Sequence, residues 1–358
     1  MERKYYIDNL KWACILMLLP FHAAIAFNNW SEVHYIWFCE NRILSLFVML
    51  VAPWYMPLLM VLAGINARYS LNKRGIKGFV EERFKKLFIP LVTGTLVIAA
   101  ALSYIADRFH NGYNSSFLAH YTIFFGKITD LTGFDGGLTP AHLWFLLYLF
   151  IISMFCLLPV SIQRKYCPGF SCKNIHILFI VFMGFIPMAV NQILNFGGKS
   201  IVSYMVFFLL GYYVISEDTV TSKIVKYRFC ILAVWLVMDI TNAVIFIWVE
   251  NINSILSRTA SCFAQWFGIL AIIVMARDKF CQCNKITKYF TSRSFGIYIF
   301  HMLWVVLVQF YLYNITENVL VLFLVPSAVA FVLTIATVEV IGRSTILCML
   351  FAQNFIKK

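Results

Sequence analysis

The sequence predicts an all-α protein: a polytopic transmembrane helical bundle of about ten spans, with the N- and C-termini in the cytoplasm. Of its 358 residues, 61% are hydrophobic and 13% are charged, and the mean hydropathy is +0.81. A soluble domain of this length has no way to bury so much apolar surface. Apolar runs of about 17–25 residues recur along the whole chain, and such runs are typical of helices that cross a bilayer.

The distribution of basic residues predicts the orientation of these helices. Of the 29 Lys and Arg residues, 23 lie in segments that are cytoplasmic if the N-terminus is inside, and five lie in the opposite segments. Cytoplasmic loops are enriched in Lys and Arg, so we expect a multi-pass protein of the inner or plasma membrane. The basic residues behind the net charge of +13 are then those of the cytoplasmic loops, and the charge does not indicate a nucleic-acid partner. The predicted spans are 9–28, 43–66, 87–106, 142–160, 175–195, 200–216, 229–249, 258–276, 295–313 and 319–341.

The chain reads as one domain over residues 1–358, without repeats and without an appended soluble domain. The largest predicted inner loops are 67–86 and 277–294. The largest outer segment, 107–141, is rich in turn residues, with a short surface helix expected around 117–128. The ten cysteines follow no framework, so we expect neither a structural disulfide nor a metal site. Nothing in the sequence defines an oligomeric state.

The first predicted span carries two polar residues that need an explanation. Lys11 opens the apolar run and His22 lies near its middle. Eleven residues are close to three helical turns, so both lie on one face, about 16 Å apart along the axis. His22 is either a histidine that hydrogen-bonds to a neighbouring helix or a general base. Lys11 either extends to the headgroups or holds an anion at the inner mouth.

A second cluster of charge precedes the third span, in the stretch VEERFKKLFIPL. Arg83 and Lys86 are three residues apart, a spacing that gives a shared face on an α-helix. Such a pair is explained by anchoring at the cytoplasmic surface. The alternative is that it holds the phosphates of a nucleotide-like donor from the cytosol.

Three later spans carry further polar or aromatic candidates. In TPAHLWFLLYLF, His142 and Trp144 form either an interfacial aromatic belt or a platform for a sugar ring. In SRSFGIYIFHMLW, Tyr298 and His301 are three apart on one face of a helix. Glu339 lies in the last span. For these residues we weigh hydrogen bonds between helices against a role in a cavity.

Taken in order, these motifs resemble the acyltransferase-3 family of integral membrane acyltransferases. Lys11, ten further residues and His22 resemble the family's first helix, which has Arg or Lys at the first position. MPLLMVLAGINARY resembles the end of its second helix, with Ala63-Gly64 in place of Ser-Gly. Arg83-x-x-Lys86 falls where the family has Arg-x-x-Arg. Lys86 keeps the charge of the second arginine but lacks its guanidinium, which can donate two hydrogen bonds to one phosphate. HLWFLLYL and SFGIYIFH resemble the later Leu-Trp-Phe-Leu and Tyr-x-x-His signatures.

The resemblance implies transfer of an acyl group from cytoplasmic acyl-CoA, acetyl-CoA first among them, to a hydroxyl of a surface or extracytoplasmic carbohydrate. It implies His22 as catalytic residue, either as base or as acyl carrier, and Lys11, Arg83 and Lys86 as ligands of the donor phosphates. His142, Trp144, Tyr298, His301 and Glu339 are then expected to line the cavity or bind the acceptor. No permanently bound cofactor or metal is expected, and the partners are acyl-CoA, the carbohydrate and membrane lipids.

Two other functions fit part of the pattern. In a transporter or flippase, polar groups in the bilayer would line a substrate path. In an export helper for a polysaccharide or lipid-linked glycan, no donor would be consumed. The absence of inverted repeats and of paired broken helices in the sequence argues against a transporter.

Overall fold

The computed structural model describes residues 4–30, 34–129, 136–249 and 254–353. Within these ranges the chain is almost entirely helical, and its β-structure is one antiparallel pair of two-residue strands and an isolated bridge. This confirms the all-α class. Three of the basic residues used to predict the orientation lie outside the described residues: Arg3, Lys357 and Lys358.

The described α-helices are numbered in chain order. They are α1 (Tyr5–Ile25), α2 (Arg42–Arg83), α3 (Ile89–Gly94), α4 (Ala100–His110), α5 (Phe117–Gly126), α6 (Trp144–Phe155), α7 (Leu157–Tyr166), α8 (Ile177–Phe182), α9 (Phe185–Ala189), α10 (Ile201–Leu210), α11 (Asp218–Lys226), α12 (Arg228–Val244), α13 (Ile255–Lys279), α14 (Lys285–Tyr313), α15 (Val319–Ile341) and α16 (Thr345–Leu350). Strands β1 (Asn195–Phe196) and β2 (Lys199–Ser200) form the hairpin before α10.

Shorter helical segments of other types join or precede these helices. A 3-10 turn at Ala141–Leu143 leads into α6. The π-helical segments are Phe84–Phe88, Thr95–Ala99, Gly211–Ile215 and Ile245–Val249. The predicted surface helix around 117–128 is confirmed as α5, where the Ser116 hydroxyl caps the first turn by accepting a hydrogen bond from the Ala119 amide.

Six described helical stretches are long and apolar enough to cross a membrane, and a bent pair makes seven. The bent pair is Ile201–Ile215 with Asp218–Lys226, which turn by 92°. The polytopic architecture is therefore confirmed, whereas the count of ten spans and the cytoplasmic termini remain predictions. Two predicted spans are not among the seven. The fifth is split into the short helices α8 and α9, and α1 carries Asp8, Lys11 and His22, which lower its hydropathy.

Two predicted spans and the inner loop between them form one helical stretch, Arg42–His110. The segment 67–86, which we expected to be a loop, continues α2 as far as Arg83, because its Lys, Arg, Glu and Leu residues favour helix. The break falls at Gly75, whose φ of 70° interrupts the helix. Glycine adopts this conformation without steric cost.

The described chain divides into two compact units. Unit 1 comprises Met1–Lys11, Met49–Phe84 and Tyr148–Cys283, and unit 2 comprises Trp12–Val48, Lys85–Leu147 and Asn284–Lys358. The prediction of a single domain over 1–358 stays a prediction.

Unit 1 is held by close backbone packing and by pairs of charged side chains. A Cβ added at Gly64 would lie 2.0 Å from the Phe208 carbonyl oxygen, and one at Gly211 would lie 2.1 Å from the Val61 carbonyl oxygen. The two helical segments therefore touch backbone to backbone, as small residues allow in membranes. Near the end of this contact Arg68 donates to Glu217 at 2.7 Å and to the Ser216 hydroxyl at 2.6 Å.

Unit 2 is built around α1, α14 and α15. Leu19 and Ala23 of α1 pack against Val305 of α14 and Ala330 of α15 in one buried cluster. The small alanines let the helices approach closely, which matters in a bilayer because lipid provides no hydrophobic force between helices. This packing places the residue next to Ala23, His22, beside α14.

Candidate active site

The site in unit 2 begins with reciprocal hydrogen bonds between α14 and the turn before α6. The Tyr298 hydroxyl donates to the His142 carbonyl oxygen at 2.6 Å. In return, His142 Nε2 lies 2.9 Å from the Ile299 carbonyl oxygen. A carbonyl oxygen only accepts, so Nε2 is the protonated nitrogen of His142. Two residues predicted from separate motifs, 156 positions apart, therefore fix each other.

The turn that carries His142 is strained. Ala141 has a φ of 53°, in the left-handed region that residues with a Cβ rarely adopt. The Thr139 hydroxyl stabilises this conformation by accepting a hydrogen bond from the Ala141 amide at 3.1 Å, and both residues are buried. Pro140 precedes the 3-10 segment Ala141–Leu143, and α6 starts at Trp144. Strain of this kind concentrates at functional sites.

His301 lies one turn after Tyr298 and is fully buried. Its Nδ1 is 2.7 Å from the Tyr298 carbonyl oxygen and 3.2 Å from that of Ile297, so Nδ1 carries the proton. Its Nε2 is therefore a bare acceptor. Among the described residues, neither His301 Nε2 nor His142 Nδ1 has a hydrogen-bond partner, although both atoms are buried. A buried polar atom without a partner is costly, and so points to a ligand or a reaction partner.

His22 completes this group, which we call the imidazole cluster: His22, His142 and His301. The ring centroids of His22 and His301 are 5.2 Å apart, and those of His301 and His142 are 5.1 Å apart. The Nδ1 atom of His22 is buried and has no hydrogen-bond partner among the described residues. The structure thus brings together three residues that the sequence placed in three different motifs.

Gln309 fixes the helix that carries His22. It lies two turns after His301 on α14 and is 1% exposed. Its amide nitrogen donates to the Ala23 carbonyl oxygen at 3.0 Å and lies 3.4 Å from that of Leu322. One buried side chain therefore bridges α1, α14 and α15 beside the imidazole cluster.

A fourth histidine extends the cluster. The ring of His34 stacks on that of His22 with centroids 6.2 Å apart. The His34 carbonyl oxygen lies 2.7 Å from His110 Nε2. This hydrogen bond joins the chain near His34, which follows α1, to the end of α4. His34 was not predicted, because it lies in the turn region after α1 and shares no helical spacing with His22.

A separate histidine site in unit 2 has a carboxylate partner; we call it the Asp107–His120 pair. His120 Nε2 lies 3.4 Å from Asp107 Oδ2, an ion-pair distance when the histidine is protonated. Asn111 donates to the other carboxylate oxygen at 2.7 Å, and the ring packs edge-on against Tyr104 and Tyr113. Burial lowers the pKa of His120, and the negative charge of Asp107 opposes this without reversing it.

Glu339, predicted to line the cavity, forms an ion pair in unit 2. Its carboxylate accepts from the Arg293 guanidinium and, at 2.8 Å, from the Tyr289 hydroxyl. The Arg293 guanidinium also lies over the Tyr289 ring, 4.0 Å from its centroid. Arg293 and Tyr289 both lie in the N-terminal part of α14. The carboxylate of Glu339 is therefore paired with a cation of the neighbouring helix.

Trp144 is 8% exposed and packs edge-on against Phe145, with ring centroids 6.1 Å apart. Phe145 in turn contacts the ring of Tyr298 at 6.4 Å. The sugar-stacking role of Trp144 stays a prediction, and the structure shows a buried aromatic residue packed against Phe145.

The three residues predicted to bind the donor are distributed over both units. Lys11 and Arg83 belong to unit 1, and Lys86 belongs to unit 2. The Arg83 guanidinium lies over the Phe79 ring, 4.6 Å from its centroid, and Nε is buried without a hydrogen-bond partner among the described residues. Lys86 is exposed in the π-helical segment Phe84–Phe88. The shared α-helical face expected for Arg83 and Lys86 does not apply across a π-turn, whose wider winding changes the register.

Fold and site together define a class of protein. Residues 4–338 match the family described as "Acyltransferase domain", the acyltransferase-3 family, and the chain belongs to it. Membership in this family indicates a membrane acyltransferase, a transferase of the EC 2.3.1 type with an acyl donor and an acceptor.

Among curated proteins, the chain is similar to Glucans biosynthesis protein C from two strains of Escherichia coli, SMS-3-5 / SECEC and K12. Each relative is 21% identical over 234 residues, an alignment that covers 59% of this chain and 57% of the relative. The chain thus spans little more than half the length of the curated relatives it matches. No solved structure matches it.

Proposed function

We propose that this protein transfers a short acyl group, acetyl first, from cytoplasmic acyl-CoA to a hydroxyl of an extracytoplasmic carbohydrate, in the inner or plasma membrane. The observation that carries the proposal is the imidazole cluster, in which three buried ring nitrogens lack partners among the described residues. The name of the relatives, which refers to glucan biosynthesis, supports a glucan as acceptor.

The chemistry we propose uses His22 as general base. His22 takes the proton of the acceptor hydroxyl while that oxygen attacks the thioester carbonyl. A carbon–oxygen bond forms, the carbon–sulfur bond breaks, and the CoA thiolate leaves, taking the proton back from the imidazolium. In a second route the His22 nitrogen itself attacks the thioester and carries the acyl group before the hydroxyl receives it.

The neighbouring imidazoles support His22 in this role. When His22 is protonated on both ring nitrogens, one N–H faces the substrate. The other N–H needs a hydrogen-bond acceptor from the protein. His301 Nε2 is such an acceptor, since its other nitrogen is committed to the Tyr298 carbonyl. An imidazole replaces here the carboxylate that orients histidine in serine hydrolases. Lys11, Arg83 and Lys86 remain our proposed ligands of the donor phosphates.

The test uses protein reconstituted in vesicles, acetyl-CoA labelled in the acyl group, and gluco-oligosaccharide as acceptor. Wild-type protein should form labelled ester, and His22→Ala should lower the rate by about 10²–10⁴-fold. His176→Ala is the matched control, because His176 is an exposed histidine that caps α8. Unchanged ester formation in His22→Ala protein would contradict the assignment.

The same assay separates the enzyme from the alternatives. A transporter, flippase or export helper would move glycan across the vesicle without consuming acyl-CoA. Release of CoA that depends on glycan and on His22 supports the transferase, and glycan movement with no CoA release supports a carrier.

A further inference from the structure

Unit 1 contains a cavity that none of the residues discussed so far explains. Its volume is about 540 Å³, within the range of about 300–1,000 Å³ that small-ligand pockets span. It lies among the outer half of α2, the end of α9, the β-hairpin, α12 and the start of α13. The predicted topology places the connections around it, near Gly198 and Arg258, on the outer side of the membrane.

The walls of the cavity are held in place by hydrogen bonds between helices of unit 1. The Ser203 hydroxyl donates to the Pro187 carbonyl at 2.9 Å, and the Cys262 thiol donates to the Gly184 carbonyl at 3.3 Å. Behind them the Trp266 indole donates to the Ile180 carbonyl at 2.8 Å. These bonds join α8 and α9 to α10 and α13, so the cavity is formed before any ligand binds.

Four polar side chains that line the cavity are available to a ligand. Gln192, Asn242, Arg258 and Gln265 make no hydrogen bond or ion pair with any residue the structure describes. Asn242 is the most informative of them, because it is 4% exposed and lies on a membrane-spanning helix. An unpaired amide at such a depth is costly unless a ligand or water satisfies it.

Two backbone carbonyls add acceptors to this set. Proline has no amide N–H, so Pro53 and Pro57 of α2 deprive the carbonyls of Met49 and Pro53 of their usual helical donors. Met49, Pro53 and Pro57 all line the cavity. The wall therefore offers both donors and acceptors, as a ligand with several hydroxyl groups requires.

The charge and the aromatic residues of the lining restrict the chemical class of the ligand further. Among the described lining residues, Arg258 is the one charged side chain and none is acidic. Tyr204 and Phe246 add aromatic surface to the lining, and aromatic side chains are surfaces on which the C–H groups of a sugar ring can pack. Amides, hydroxyls, one cation and two aromatic rings fit a neutral or weakly anionic saccharide and disfavour a cationic ligand.

We propose that this cavity, distinct from the imidazole cluster, binds a short stretch of a glucan through Asn242, Gln265 and Arg258. The choice of a glucan rests on the proposed function. The binding site itself rests on the unpaired side chains and the freed carbonyls of unit 1. Asn242 and Gln265 bind the sugar hydroxyls from inside, and Arg258 binds at the mouth.

The test measures binding of an equimolar pool of maltotriose, cellotriose and laminaritriose to full-length protein in nanodiscs, without acyl donor. Wild-type protein should bind the pool, and Asn242→Leu and Gln265→Leu should each weaken binding by about tenfold, because leucine has a similar volume but no hydrogen-bonding groups. Gln282→Leu is the matched control, an exposed glutamine outside the cavity. Arg258→Met should also weaken binding. Because Arg258 lies at the open mouth, a loss of binding in this variant is not explained by a folding defect of the kind that a buried substitution can cause.

Three outcomes overturn the proposal: no binding by wild-type protein, equal binding by the wild type and the cavity variants, or displacement of the sugars by phosphatidylglycerol in the nanodisc. The last would make the cavity a lipid headgroup site. Because the assay contains no donor, its result is separate from the transfer assay. Protein that forms ester but binds no trisaccharide overturns this inference alone, and protein that binds but forms no ester overturns the proposed function alone.

Discussion

Unit 2 contains two histidine sites that differ in how their ring nitrogens are paired. In the Asp107–His120 pair, the imidazole has a carboxylate at 3.4 Å and aromatic rings on two sides. In the imidazole cluster, the described neighbours of the three rings are backbone carbonyls and other imidazoles. None of the three rings has a carboxylate among its described partners. His120 Nε2 also makes no hydrogen bond among the described residues, so neither burial nor an unpaired ring nitrogen separates the two sites. What differs in the described contacts is the carboxylate, which faces His120 and none of the three rings of the cluster.

After His22→Ala, the largest expected effect comes from the second imidazole of the cluster. His301→Gln should lower kcat by about 10–100-fold, because glutamine lacks the imidazole nitrogen that we propose accepts a proton from His22. The donor KM should stay within about twofold, since His301 is not among the residues proposed to bind CoA. Steady-state kinetics with labelled acetyl-CoA measures both.

The matched variant of the other site is His120→Gln. It should leave kcat within about threefold of wild type while lowering the melting temperature. If His120→Gln abolished transfer and His301→Gln did not, the roles assigned to the two sites would be reversed.

A smaller loss is expected when the helix carrying His22 is loosened. Gln309→Leu removes the donor to the Ala23 carbonyl and should cost about 1–2 kcal/mol of stability, with kcat lowered by roughly tenfold because His22 is less well positioned. The melting temperature and kcat are measured on the same preparation. A loss of stability with unchanged kcat would show that Gln309 supports the fold and not the site.

The Asp107–His120 pair predicts a pH dependence of stability. Because the pKa of His120 is lowered in the folded state, its contribution is fully present above the unfolded pKa near 6.5 and is lost as the pH falls through the folded pKa. The free energy of unfolding should therefore decrease on acidification below about pH 6.5. Thermal melts of wild type and His120→Gln across pH 5–8 should converge at the acidic end.

A small effect on kcat is expected of Tyr298→Phe. It removes the hydroxyl that binds the His142 carbonyl, worth about 0.5–1.5 kcal/mol, while the ring that packs on Phe145 stays. We expect a few-fold loss of kcat. A loss as large as that of His22→Ala would mean that the hydroxyl itself takes part in the reaction.

Hydropathy and short motifs predicted the class and the family of this protein because both depend on local composition. The span count was harder, since the length of an apolar run does not show that the segment 175–195 divides at Met183 and Gly184 into α8 and α9. Motifs named His22, His142 and His301 as candidates, and the structure brings their rings together. Their pairing was not predictable, because it depends on contacts between residues more than 150 positions apart. For the same reason Gln309, His34 and the partner of Glu339 were missed.

The close backbone packing of Gly64 against Phe208, and of Gly211 against Val61, bears on how the chain assembles. Helices of a membrane protein first insert individually and then associate. An alanine at either position adds apolar surface and would not hinder insertion, yet its methyl group would lie about 2 Å from a carbonyl oxygen of the other helix. The sequence at these two sites is therefore constrained by association and not by partitioning into lipid. A hydropathy profile does not register that constraint, although the packing of unit 1 depends on it.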